Sequence, residues 1–83
     1  MPLRTSFGLQ VAALRKAVGL SQEDLADRCG FARSYMSRIE RGKANPSLDA
    51  VETLAGALRV SVWTLFGGED AVVAAPRENG ATV

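Results

Sequence analysis

Residues 20–43, LSQEDLADRCGFARSYMSRIERGK, leave this 83-residue chain few architectures to choose from. The stretch reads as two short helices joined at Gly30, a residue free to take the positive φ that a tight turn demands. Ser21 is a natural N-cap. Asp24 three positions on, with Glu23 beside it, places negative charge at the positive end of the first of these helices, a capping box with Asp in place of the usual Glu. Leu25, Ala26 and Cys29 form its inner face, and Phe31 re-enters the core after the turn.

The second helix is expected over residues 33–41. At 100° per residue from Arg33, the positions Ser37, Arg41, Ser34 and Arg38 fall at about 40°, 80°, 100° and 140°, while Ile39 and Met36 fall near 240° and 300°. One side is wet and cationic, and the other belongs to a core.

The flanking sequence supplies that core. Phe7, Val11, Leu14 and Val18 recur at helical spacing, which predicts a helix over residues 7–18, with Ser6 able to cap it and Gly19 ending it; residues 1–5 read as a frayed lead-in. Gly42 and Pro46 bound a short loop. Ser47 then caps a helix with the apolar stripe Leu48, Val51, Leu54, Ala55 and Leu58, and Ser61 caps a last short helix over 62–66, stopped by Gly67 and Gly68. The result is an all-α chain of five helices. Residues 67–83 have little periodicity and read as a disordered tail or as an extended arm, with Val72 and Val73, that packs on a partner subunit.

Charge is concentrated where the turn lies. The formal total is only +1. Yet Arg28, Arg33, Arg38, Arg41 and Lys43 face a single anion, Glu40, within residues 28–43, whereas from residue 44 onward acids outnumber bases. A positive field confined to one segment suits contact with phosphate. With one cysteine and no histidine the chain has neither an internal disulfide framework nor a plausible zinc cluster, and Cys29 reads as a small buried apolar residue. No apolar run of bilayer length and no secretory signal is present, so a cytoplasmic protein is expected. No phosphate-binding glycine loop or nucleophile elbow suggests an enzyme, and no cofactor is implied.

Residues 20–66 resemble the Cro/CI-type (XRE-like) helix-turn-helix domain of phage repressors and bacterial transcriptional regulators. The resemblance rests on SQEDLA, SYMSRIERGK, NPSLDAVETLA and SVWTLF in the family's order and spacing. It implies a compact five-helix bundle of the lambda-repressor-like type over residues 6–66. It also implies a homodimer that reads a palindromic operator in double-stranded DNA through its third helix, as repressors and restriction-modification controllers do. Arg33, Ser34, Ser37 and Arg38 match the family's base-reading positions, the face the helical wheel also selects. Gln22 matches a phosphate-clamping glutamine, Tyr35 at the edge of the reading face is expected to touch a phosphate or a thymine methyl, and Arg41, Lys43 and Asn45 follow as backbone grips. Arg15 and Glu40 match positions that pair across the first and third helices.

Val62, Trp63, Leu65 and Phe66 are too many large apolar groups for one short helix to bury alone, so they form the expected dimer interface. Trp63 is its anchor, or alternatively a lid over the monomer core. Ala32 stands where the family commonly has a capping Ser or Thr, which leaves the first amides of the reading helix without a side-chain acceptor. The competing reading is an antitoxin or adaptor that binds a partner protein through its C-terminal region.

Overall fold

The computed structural model describes residues 2–68. The expected tail beyond residue 68 lies outside them. Five helices follow in order: α1 (Leu3–Ala17), α2 (Gln22–Cys29), α3 (Arg33–Glu40), α4 (Leu48–Leu58) and α5 (Val62–Leu65). The all-α bundle expected from the sequence is the fold observed.

Helix α1 starts four residues earlier than its apolar stripe suggested. Pro2 stands at the N-cap, and its carbonyl accepts from the amides of Thr5 and Ser6 at 3.0 and 3.2 Å. A proline's restricted φ suits a helix start, so the supposed lead-in is helical. Ser6 is therefore no cap, and its hydroxyl donates to the Leu3 carbonyl at 3.1 Å. At the other end Gly19 adopts φ +79°, and the Leu20 amide closes back onto the Arg15 carbonyl.

Each later helix is set by its own punctuation. The capping box of α2 is complete: the Asp24 amide donates to Ser21 Oγ at 2.9 Å and the Ser21 amide to Asp24 Oδ2 at 3.0 Å. Ser47 and Ser61 accept from the amides of Ala50 and Thr64, each at 3.1 Å, and so start α4 and α5. Helix α3 begins at Ala32 with no side-chain cap, as its sequence implied, and stops at Glu40 with Arg41 as C-cap. Helix α5 likewise ends one residue early, leaving Phe66 as its C-cap. Helix α4 ends on Arg59, which takes the left-handed φ of +58°.

Val11, Leu25, Met36, Ile39, Leu54 and Leu65 are the largest fully buried side chains, so all five helices contribute to one core. Two expected stripe members lie outside it: Val18 is more than half exposed and Leu48 is 82% exposed. Both sit at helix termini, where the stripe has run past the neighbouring helix. Cys29 is half-buried against the core, and burial pushes its thiol up from the ordinary range, so it stays protonated.

The crossing of α1 and α3 is close because Gly8 has no side chain. A Cβ there would overlap the carbonyl oxygens of Ile39 and Glu40. Gly42 repeats the device one turn away: it adopts φ +72°, and a Cβ there would approach the Cα and Oγ1 of Thr5 to 2.9 Å. Helix α1 is thus laid directly on the backbone at the C-terminal end of α3.

Candidate nucleic-acid interface

Helix α3 divides as its wheel requires. Met36 and Ile39 are buried at 0% and 1% exposure, while Arg33, Ser34 and Arg38 are exposed on the opposite side and Ser37 is partly so. The buried pair holds α3 against α2 and α1, which leaves the cationic side free. Gly30 at φ +72° and the Phe31 amide, donating to the Ala26 carbonyl at 2.9 Å, make the turn that aims the helix.

Two of the exposed guanidiniums are not loose. The Arg38 Cζ lies 5.8 Å from the centroid of the Tyr35 ring, and that ring meets Phe31 edge-on at 5.1 Å. Tyr35 is therefore a prop between the core edge and Arg38, an attractive cation and ring arrangement that restricts where the guanidinium points. Arg41 Nε donates to Ser37 Oγ at 3.3 Å. Lys43 and Asn45 are exposed in the loop that follows.

Behind this face stands a polar cluster. Arg15 grips Glu40 with Nε to Oε2 at 2.7 Å and Nη2 to Oε1 at 3.0 Å, and its Nη1 donates to the Leu20 carbonyl at 2.9 Å. The side chains are only 10% and 6% exposed. The Glu40 hydrogen bond and charge hold the Arg15 guanidinium above its ordinary pKa against the opposing effect of burial. Gln22 joins the cluster: its Nε2 donates to Glu40 Oε1 at 3.1 Å. The amide expected at a phosphate thus faces inward, because Glu40 offers a carboxylate oxygen within its reach.

The apolar surface lies elsewhere, at α5. Val62, Trp63 and Phe66 are 40%, 64% and 43% exposed, but Leu65 is 0% exposed and belongs to the monomer core. Leu65 is therefore withdrawn from the expected interface; its place on the four-residue helix turns it inward among α1 and α4. The Trp63 indole lies against Gly68, where a Cβ would overlap it. Phe66 stacks at a tilt on Phe7, ring centroids 5.0 Å apart. Leu3 and Leu48, which sequence reasoning did not place here, join Phe7, Val51 and Phe66 in lining an open apolar cleft of about 330 Å³.

Helices α2 and α3, their glycine turn and the outward basic face define a helix-turn-helix protein. The model of the helix-turn-helix domain family matches residues 6–63, and the chain belongs to that family, in the XRE-like group of HTH-type transcriptional regulators. It is 41% identical over 64 residues to the immunity repressor of Bacillus phage phi105, a match that covers 77% of this chain and 44% of the repressor. The chain thus spans less than half the length of that relative. Among solved structures, the restriction-modification controller protein C.AhdI from Aeromonas hydrophila superposes with a TM-score of 0.73 at 44% identity, covering 75% of this chain and 94% of that one. SinR, a master regulator for biofilm formation solved in complex with DNA, gives 0.68 at 42% identity, covering 71% and 95%.

Proposed function

We propose that this chain is a sequence-specific DNA-binding transcriptional regulator that acts in the cytoplasm as a homodimer on a palindromic operator, in the manner of a repressor or restriction-modification controller. The observation that carries the reading is the outward face of α3. Arg33, Ser34, Ser37 and Arg38 stand clear of the core on a helix whose other side is fully buried.

In the major groove each base pair presents its own pattern of donors and acceptors, and an α-helix fits there. Arg33 and Arg38 each carry a fork that suits guanine O6 and N7, so they discriminate; Ser34 and Ser37 make short contacts to bases or phosphates. Arg41, Lys43 and Asn45 hold the backbone, Tyr35 fixes Arg38, and Gln22 contributes through its place at the start of α2, where backbone amides favour an anion. Val62, Trp63 and Phe66 pair two such units about a two-fold axis, which sets half-sites about one helical turn apart.

Selection of bound sequences from a random duplex pool at defined salt tests this reading. Enrichment of a palindrome is the expected result. Retention of DNA with no enriched motif would remove sequence-specific regulation.

A further inference from the structure

Arg4 took no part in the sequence argument, yet the early start of α1 carries it to the basic end of the reading helix. There a cleft of about 370 Å³ is lined by Arg4, Thr5, Arg41, Gly42, Lys43 and Asn45, together with Ala44. Its polar groups are three cations, an amide and a hydroxyl, with no carboxylate among them. Among the described residues the ion pair is Arg15 with Glu40, so none of these three cations is neutralised there.

Intramolecular electrostatics accounts for only part of this. Arg41 at the C-cap of α3 offsets the partial negative charge of the helix end. Arg4 lies in the first turn of α1, which contains no acid. A cation at that end of a helix is unfavourable, and converging on two further cations adds repulsion. An external anion in the cleft reverses both effects.

We propose that this cleft grips a DNA backbone phosphate and that Arg4 is one of its ligands, an inference that rests on the DNA-binding reading above. The cradle is built before the anion arrives. Gly42 lets the loop touch Thr5 of α1, and the Gly42 and Lys43 amides close onto the Ile39 and Arg38 carbonyls at 3.1 and 2.8 Å. The contact between Arg41 and Ser37 makes the cleft continuous with the reading face. A phosphodiester accepts through two non-bridging oxygens, which suits an arginine fork with a lysine as point charge beside it. Such a contact sets register on the duplex and carries no sequence information.

The test is binding of the full chain to its selected operator and to a scrambled duplex across a salt series from about 50 to 200 mM. Arg4→Gln is expected to lower the slope of log K against log salt by about 0.9. It should weaken both duplexes by the same factor, and without DNA it should leave the fold intact with an unfolding temperature equal to or slightly above that of wild type, since an unfavourable cation is removed. Lys16→Gln removes an exposed cation about 18 Å along the same helix and should leave the slope as it is. An unaltered slope in Arg4→Gln, or a changed ratio between operator and scrambled DNA, would overturn the proposal while the DNA-binding reading stands. Wild-type protein that binds neither duplex would end both. Inorganic phosphate added without DNA should give no saturable shift of the Gly42 and Lys43 amide resonances at submillimolar concentration; such a shift would make this a free-anion site instead.

Discussion

Arg15 and Glu40 meet through two parallel hydrogen bonds, 2.7 and 3.0 Å long, in a pocket that leaves both side chains nearly closed to water. Breaking such a pair costs more than deleting it, because the survivor is a buried charge without a partner. Arg15→Met or Glu40→Gln alone should destabilise the domain by roughly 3–5 kcal/mol, and the double replacement by less than either. Urea unfolding of the four proteins gives the coupling directly. Additive losses would show the two charges to be independent.

Glycine at two helical positions should respond to alanine with opposite signs. Gly56 in α4 is exposed and has open space where a Cβ would go, so Gly56→Ala should stabilise by about 0.5–1 kcal/mol. Gly8→Ala would drive a methyl into two carbonyls of α3 and should destabilise by about 1–3 kcal/mol. Thermal unfolding of both variants checks the pair.

Acid should remove the α2 cap. The amide of Ser21, and then its hydroxyl, hold the Asp24 carboxyl below its ordinary pKa. The stabilisation is therefore complete above the unfolded-state value of about 3.9 and is lost as pH falls through the lower folded-state value. The difference in urea midpoint between wild type and Asp24→Asn should be flat near neutrality and shrink only below about pH 4. A difference that grew in acid would reverse the assignment.

Readers and clamps should separate in binding data. Arg38→Ala is expected to cost roughly 1–3 kcal/mol on the selected operator and relax preference at one base pair, whereas Lys43→Ala should weaken all sequences alike and lower the salt slope by about one. Equal effects on specific and scrambled DNA from both changes would erase the division.

Trp63 and Leu65, two residues apart, should fail in different ways. Trp63→Ala removes an exposed indole and is expected to leave a folded monomer in sedimentation where wild type is a dimer. Leu65→Ala instead opens a cavity in the core and should cost roughly 2–5 kcal/mol of stability. A Trp63→Ala protein that stayed dimeric would move the interface away from this helix.

Much of the fold was legible because its boundaries are written in side chains that act locally. Ser21 with Asp24, Ser47, Ser61 and the glycines at 19 and 30 each set a helix end through bonds to neighbours a few residues away. The outward arginines of α3 were legible for a similar reason, since a single helix fixes their relative angles. What escaped depends on contacts between distant segments. The apolar pattern held no sign that α1 begins at Pro2, so Arg4 and Leu3 were missed. Gly8 falls between the stripe positions Phe7 and Val11, with nothing in the sequence to mark the α3 carbonyls against it. Leu65 and Phe66 could not be sorted into core and surface from a helix of one turn, and the inward turn of Gln22 follows from where α1 places Arg15 beside Glu40.

Ala32 leaves the two ends of α3 unequally held. The far end of α3 is pinned three ways: Glu40 by Arg15, Glu40 again by Gln22, and the last carbonyls by the backbone of Gly8. The near end starts without a capping side chain, so its first amides lack the side-chain acceptor that the capped helices have. Helix α3 therefore carries a gradient of stiffness along its eight residues. In the proposed complex Arg33 and Ser34, at the less firmly held end, would adjust to the groove, while Arg38, nearer the Glu40 end, would keep its angle.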